Sequence, residues 1–493
     1  MTHKIQRHKL AKAQSSKVLC SSVPVCLYPF VLFAALCTFR SILAQDWPTY
    51  MHDNARSGVT AESLVVNEID EGWVYVPPMP PQVAWDGGAP WDAYRSSSST
   101  NVCQLTPQRD FDFVFYVTIV GNQLYFGSSV TDSVHCLDAR TGKQQWFFDT
   151  NGPVRYPPSY CDGKLYFGSD DGYVYCISAE NGDFIWKYSP AGDTRLIGNN
   201  GSLISMWPVR TGTAVLDGKV YFAASLVNWQ DSYLCSVDAQ TGSDSGPGLY
   251  KVSGGVTPMG AIMASPTKVY LLQGRLHPYV FNREDGSILG NFGERGQSGC
   301  YALLTSDSRF IRGHAKVNAA GYELAEHNAD TRDRIATHPN GRRLVVSETV
   351  AYLLSENSLS AINRSNAGAV WSITCDCPYA LILAGDVLFA GGTNKVVAYS
   401  TANGQELWSR NVDGRARGLA AADGRLYVST DTGRIYMFGP TNLPADLNRD
   451  GAVDLLDLAI FGEQYLGCTD PANTQQPCQN LQSPSGQILK SKF

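Results

Sequence analysis

Seven short apolar runs recur along the chain at nearly regular spacing, and they constrain its fold more than any other feature. They are Leu124-Tyr125-Phe126, Leu165-Tyr166-Phe167, Val220-Tyr221-Phe222, Val269-Tyr270-Leu271, Ala351-Tyr352-Leu353, Val387-Leu388-Phe389 and Leu426-Tyr427-Val428. Between their middle residues the intervals are 41, 55, 49, 82, 36 and 39 residues. The interval of 82 is two of 41, which predicts a decayed eighth copy near Arg309-Phe310-Ile311. The clearest copy, Asp162 to Trp186, alternates apolar runs with turns at Asp162-Gly163, Asp170-Asp171-Gly172 and Glu180-Asn181-Gly182. Asp-Gly and Asn-Gly pairs accept the positive φ that a tight hairpin needs, so the stretch reads as a strand meander. One meander cannot bury both of its faces, so the copies must stack. A period of about 40 residues made wholly of short strands predicts an all-β propeller of four-stranded antiparallel blades, here eight of them.

The second half of each copy keeps the register. Asp138 to Gly142 runs on to Trp146, Ser178 to Gly182 to Trp186, and Ser400 to Gly404 to Trp408; Asn363 to Trp371 is a looser copy. Asp238 to Gly242 and Asn282 to Gly286 keep the turn and lose the tryptophan. The last copy stops at Ile435-Tyr436-Met437-Phe438, before its Trp strand. Gly72-Trp73-Val74-Tyr75-Val76, at the other end of the repeat region, supplies the missing strand and is expected to close the ring, which removes exposed sheet edges. Two insertions break the period and read as long loops, a form that is usually functional or disordered. One, 77–109, carries Trp85, Trp91 and Tyr94, and the other, 191–210, carries Arg195, Asn199, Asn200, Trp207 and Arg210. Arginine beside aromatic rings can hold a glycan or peptide. The same residues can cap the apolar end of a channel, and that is the favoured expectation.

Residues 1–45 are of another kind, with six basic and no acidic side chains, an apolar run from Val23 to Cys37, and Ala44-Gln45 at a plausible cleavage point. This is the pattern of a signal peptide, and the apolar run is short for a bilayer span, so an exported protein with no membrane span after cleavage is expected. Beyond residue 45 the chain has 33 basic and 45 acidic residues, a net charge near −12. Nucleic acids and anionic membranes need basic surfaces, so neither is an expected partner. Ten cysteines lie beyond residue 45, which allows disulfides in an exported chain. No pairing among Cys103, Cys136, Cys161, Cys176, Cys235, Cys300, Cys375 and Cys377 is fixed by spacing, while Cys468 and Cys478 flank a Pro-containing tail and can close a small loop.

The 162–186 repeat, with Asp46-Trp47-Pro48-Thr49-Tyr50 and His52 to Gly58 ahead of the first copy, closely resembles the pyrroloquinoline quinone (PQQ)-like propeller family over residues 46–440. The resemblance implies eight W-shaped blades around a central channel. It implies less about activity, because the repeat serves both quinone-dependent dehydrogenases and non-enzymatic scaffolds such as the outer-membrane assembly lipoprotein. The dehydrogenases stack the quinone on a ring made by two adjacent disulfide-linked cysteines, hold a Ca²⁺ in the channel and use an Asp base. Here there is no Cys-Cys pair, Cys375-Asp376-Cys377 being the nearest approach, and no family-like Ca²⁺ set or CxxCH haem motif. PQQ is therefore not an expected cofactor and no catalytic residue is assigned.

A separate motif occupies 441–468. Asp446, Asn448, Asp450, Asp454 and Asp457 place oxygens at loop positions 1, 3, 5, 9 and 12, Gly451 makes the sharp turn, and Ala452 offers its carbonyl. Such a set suits Ca²⁺. With Leu458, Ile460, Phe461, Tyr465 and Leu466 following, it resembles one half of a dockerin type I domain, so a protein or glycan partner, including a cohesin, enters as an expectation. Residues 469–493 read as a flexible tail. Two features invite over-reading. Cys136, Cys176 and Cys235 occupy nearly the same strand position in successive copies and are expected to pack as small apolar residues rather than bind metal. His314, His327 and His338, in the decayed copy, are expected in surface loops.

Overall fold

The computed structural model describes residues 45–85, 111–226, 230–244, 249–253, 257–274, 276–293, 299–313, 323–440, 455 and 457–461. Among them the fold is all-β. Six four-stranded antiparallel sheets follow one another along the chain, spanning 117–149, 159–188, 214–253, 263–291, 302–339 and 341–374. An eight-stranded sheet comes last, built from 380–440 together with Val59–Thr60 and Ile69–Tyr75. The arrangement is a β-propeller.

In the clearest copy the strands are Ser159–Cys161, Lys164–Gly168, Val174–Ser178 and Phe184–Tyr188, laid side by side in chain order. The two middle strands are buried on both faces by neighbouring sheets, so Leu165, Tyr166, Phe167, Val174, Tyr175, Cys176 and Ile177 form a continuous apolar run. The outer strand meets solvent, and Phe184 and Ile185 are exposed while Trp186 is buried. Cys136 and Cys176 occupy equivalent buried positions opposite Tyr125 and Tyr166, while Cys235, opposite Phe222, is one residue out of that register and equally buried; all three are small core residues.

The joints between sheets explain the repeat's two aromatic positions. The Trp186 indole N–H (3.1 Å) and the Tyr166 hydroxyl (3.0 Å) both donate to the Ala239 carbonyl of the next sheet, using its two lone pairs. Trp73 (3.1 Å) and Tyr427 (3.2 Å) do the same to Ala139, joining the last sheet to the first. Beneath the rings lie Gly142, Gly182, Gly242 and Gly404, at positive φ, where a Cβ would come within 2.5–2.8 Å of Trp73, Trp146, Trp186 and Trp371 respectively. Glycine is required there for both its conformation and its missing side chain. Ile69–Tyr75 pairs antiparallel with Ile435–Pro440, with Trp73 opposite Met437, so the N-terminal strand takes the place vacated at the end of the last copy.

Three local features differ from the sequence reading or refine it. The decayed copy, Arg309–Gly313, is a regular strand between Ala302–Leu304 and Glu323–Asn328. The 191–210 insertion is not simply a loop: Leu196–Asn199 and Ser202–Ser205 form a hairpin around Asn200-Gly201, whose φ values of 47° and 83° suit the primed turn that Asn-Gly favours. His327 and His338 lie in strands, and His327 is only 2 % exposed. It is held there because its Nε2 accepts from Arg312 Nε (3.4 Å), leaving Nδ1 to donate to the Arg332 carbonyl (3.2 Å).

Candidate functional site

The channel that the inner strands surround is crossed at one mouth by residues 46–62. Asp46 accepts from the Gly121 N–H (2.8 Å), Thr60 O from Gly385 N–H (3.1 Å), and Glu62 from Gly424 N–H (3.0 Å), each glycine sitting in the turn that ends an inner strand. Between these points Pro48 O, Asn54 O, Ala55 O and Gly58 O accept from Tyr160, Ala264, Leu304 and Leu383. One short segment thus bonds the inner strands of the second, fourth, fifth and eight-stranded sheets. Its anchor is Arg56, 1 % exposed, whose guanidinium donates to Ile262 O, Thr213 O, Tyr50 O, Asp53 O and Thr49 Oγ1 at 2.8–3.1 Å. Burial pulls its pKa down to about 10, so it stays charged at neutral pH.

At the opposite mouth, where chains enter the inner strands, a layer of Ala84, Phe111, Tyr156, Ala261 and Cys300 packs with Tyr50, Trp85 and Met259. Beside it lies a buried charge network. Asp170 receives Arg155 Nε (2.8 Å) and the Nε and Nη2 of Arg210 (2.8 and 2.7 Å), and Arg155 Nη1 reaches Asp112 (2.6 Å). Burial alone would raise Asp170, but the two guanidiniums outweigh it and hold its carboxyl below the usual range; for Asp112, burial wins and the shift is upward. Two positive and two negative groups leave the network neutral.

The two insertions meet over this network. Arg210 lies 5.6 Å from the Trp85 ring, Gln82 Nε2 donates to Asn200 O (2.8 Å), and Asn200 Nδ2 donates to Val83 O (2.6 Å). Arg195 covers Trp207 at 4.9 Å, and the Trp207 indole donates to Asp231 O (2.9 Å). Trp85 thus pairs with Arg210 and Trp207 with Arg195, while the arginines' hydrogen bonds go to Asp170, Asn199 and Asp193. Trp91 lies outside the described residues.

A cavity of about 30 Å³ lies on the side of the first, fifth, sixth and eight-stranded sheets, lined by Trp47, Tyr50, Met51, Tyr116, Tyr301, Arg343, Arg417 and aliphatic inner-strand residues. Arg343 stacks on Tyr301 (4.9 Å), and Arg417 on Phe113 (4.3 Å) and Tyr379 (4.9 Å). Neither arginine stood out in the sequence, since nothing in the repeat marks which inner-strand side chains face the axis. A broader groove of about 510 Å³ lies beside the closing strand, between Glu71, Val74, Val76, Asn394, Asn411, Asp413, Arg434 and Tyr436.

Of the calcium-loop residues, Asp457 is described: it is helical and 2 % exposed, whereas the neighbouring Leu455, Leu458 and Phe461 are exposed. Asp446, Asn448, Asp450, Ala452 and Asp454 lie outside the described residues, as do Cys103, Cys468, Cys478 and His314. Among the described residues no cluster of three or more His, Cys, Asp or Glu is placed to hold a metal, and no helix is long and apolar enough to cross a membrane.

With the repeat, the joints and the channel established, comparison with known proteins becomes specific. A PQQ-like repeat family model, described as outer membrane protein assembly factor BamB, matches residues 130–442. The chain belongs to this family. Among curated relatives, tetrathionate hydrolase of Acidithiobacillus ferrooxidans is 27 % identical over 225 residues, 44 % of this chain and 36 % of that protein. Quinohemoprotein alcohol dehydrogenase ADH-IIG of Pseudomonas putida is 34 % identical over 94 residues, 19 % of this chain and 12 % of that one. The matches thus span well under half of either relative. Among solved structures, quinohemoprotein alcohol dehydrogenase from Comamonas testosteroni superposes with a TM-score of 0.57 at 14 % identity, covering 81 % of each chain. A europium-containing methanol dehydrogenase gives 0.56 at 11 %, covering 80 % of this chain and 98 % of that one. At such identities the likeness is one of fold.

The family's cofactor can be tested against the residues. A pocket for a ligand of that size takes about 300 Å³ or more, ten times the cavity beside Arg343 and Arg417. The Tyr156 layer and the Arg56 segment also pack between the inner strands. Among the described residues, that cavity by itself is too small for the quinone.

Proposed function

We propose that this chain is an exported, eight-bladed PQQ-like propeller that acts as a binding or scaffold module, with a calcium-binding dockerin-like motif behind it. The eight-stranded sheet counts as two blades sharing Glu406–Ala422, whose first half is outermost in one and whose second half is innermost in the next. The observation that supports the non-catalytic reading is the small size of the cavity beside Arg343 and Arg417, about 30 Å³, with the Tyr156 layer and the Arg56 segment packed between the inner strands. Binding then falls to the outside. The groove by the closing strand offers amides (Asn394, Asn411), charges (Glu71, Arg434) and an aromatic ring (Tyr436), a mixture suited to a glycan or a peptide. The test is to incubate the protein with PQQ and Ca²⁺, remove free quinone, and offer alcohols and sugars with a dye acceptor. No retained quinone and no dye reduction are expected; turnover would overturn the reading.

A PQQ-dependent alcohol or sugar dehydrogenase is the second reading, favoured by the quinohemoprotein names among the relatives. The same assay decides it. A third, an accessory part of an extracellular polysaccharide-degrading assembly, rests on the dockerin-like half, and cohesin or glycan pull-downs would test it. For Ca²⁺ itself, held by Asp446, Asn448, Asp450, Ala452, Asp454 and Asp457, calorimetry on the full chain should show binding heat that Asp450→Ala removes.

A further inference from the structure

Cys375 and Cys377 stand apart from the other thiols. Both are unbridged, at 2 % and 0 % exposure, on the connector from Ala369–Thr374 of the sixth sheet to Ala380–Ala384 of the eight-stranded sheet. The residue between them is at the surface: Asp376 has a 70 % exposed side chain paired with Lys395 Nζ (2.6 Å). The two sulfurs therefore sit just beneath a solvent-facing turn. Both cysteines pack in one buried cluster with Tyr399, and the Cys377 thiol lies 4.0 Å from Asp376 Oδ1. Close packing holds the second sulfur in place: a Cβ on Gly392 would come within 2.9 Å of Cys377 Sγ.

We propose that Cys375 and Cys377 form a redox-active dithiol that a small hydroperoxide oxidises to an intra-turn disulfide, with Cys375 as the attacking sulfur and Cys377 as the resolving one. The Cys375 thiolate attacks the distal peroxide oxygen; the O–O bond breaks, an S–O bond forms, and the departing alkoxide or hydroxide takes a proton from solvent. Cys377 then attacks the Cys375 sulfenic sulfur. The S–S bond forms, and hydroxide leaves with the Cys377 proton as water. Two electrons pass from the dithiol to the peroxide, and the products are disulfide, alcohol (or water) and water. The burial of both sulfurs selects a small oxidant over a bulky disulfide.

Electrostatics supports the division of roles. The neighbouring Cys377, then Tyr399, brings Cys375 down to about 7, whereas Cys377 is pushed up by the neighbouring Cys375 and by burial. Elsewhere burial pushes Cys136 and Cys176 up to about 12, where they are inert at neutral pH. The inference does not depend on the binding reading above.

The test uses the full chain. Trypsin releases Ser365–Lys395, in which Cys375 and Cys377 are the only cysteines. After stoichiometric hydrogen peroxide this peptide should lose about 2 Da, reversibly with a reducing agent. In Cys377→Ser the reaction should stop at a Cys375 sulfenic acid, trapped by dimedone, and in Cys375→Ser the segment should not react. The rate should fall below about pH 7, with the midpoint moved upward in Tyr399→Phe. A dithiol segment that survives peroxide while other cysteines oxidise would overturn the proposal, as would dimedone trapping at Cys377 in Cys375→Ser.

Discussion

The first three sheets and the fourth and fifth solve the same packing problem in opposite ways. Between the second and third sheets, a large side chain on the outer strand, Trp186, covers a small residue in the next sheet's turn, Gly242. Between the fourth and fifth sheets the sizes are exchanged. Gly290 occupies the tryptophan's position, four residues after Gly286, and the turn residue is Arg332 at φ +71°, whose Nε would lie 3.0 Å from a Cβ on Gly290. Arg332 also offers its carbonyl to His327. The joint needs one bulky and one small partner, and either sheet can supply the bulk. The repeat looks decayed there because a sequence pattern records which residue is large, not the volume the pair fills.

The regular side is also held by the buried Asp112–Arg155–Asp170–Arg210 network, whereas among the described residues the ion pairs around Glu326 of the fifth sheet are partly exposed. Asp170→Ala leaves two buried guanidiniums without their shared carboxylate and should cost about 3–5 kcal/mol. Urea unfolding measures it, and a loss no larger than that of an exposed aspartate would remove the distinction between the two sides. Gly242→Ala drives a Cβ to 2.5 Å from the Trp186 ring at φ +70°, for a cost of about 2–4 kcal/mol in the same assay.

On the other side the predicted weakness is to acid. Burial, then Arg312, lowers His327 to about 4. Its folded pKa lies below the unfolded value of about 6.5, so the unfolded chain takes the proton first. The stability from neutral His327 is complete above pH 6.5 and is lost as pH falls from there toward 4, on the order of 2 kcal/mol. The difference between wild type and His327→Gln, followed from pH 7 to 4.5, isolates this group from the carboxylates. The smallest effect belongs to Arg332→Gly. Removing the side chain opens the joint while relieving positive φ, so the two offset and stability should change by no more than about 1 kcal/mol. A loss as large as that of Gly242→Ala would mean Arg332 does more than fill space.

Sequence alone determined the strand meander, the place of Trp73 beside the last strand, and the burial of Cys136, Cys176 and Cys235, because alternation, turn pairs and spacing are local properties of a chain. Asn200-Gly201 belonged to the same readable class, although its hairpin was taken for a loop. Tertiary structure decided what stands in the channel. Arg56, Tyr156, Arg343 and Arg417 come from distant parts of the chain, and their direction toward the axis depends on how the sheets are set around it. It also decided that Arg210 and Trp85 face one another, 125 residues apart. A buried charge is tolerated only where its counter-charges and carbonyls converge. That convergence is a property of the closed ring and of no single copy of the repeat.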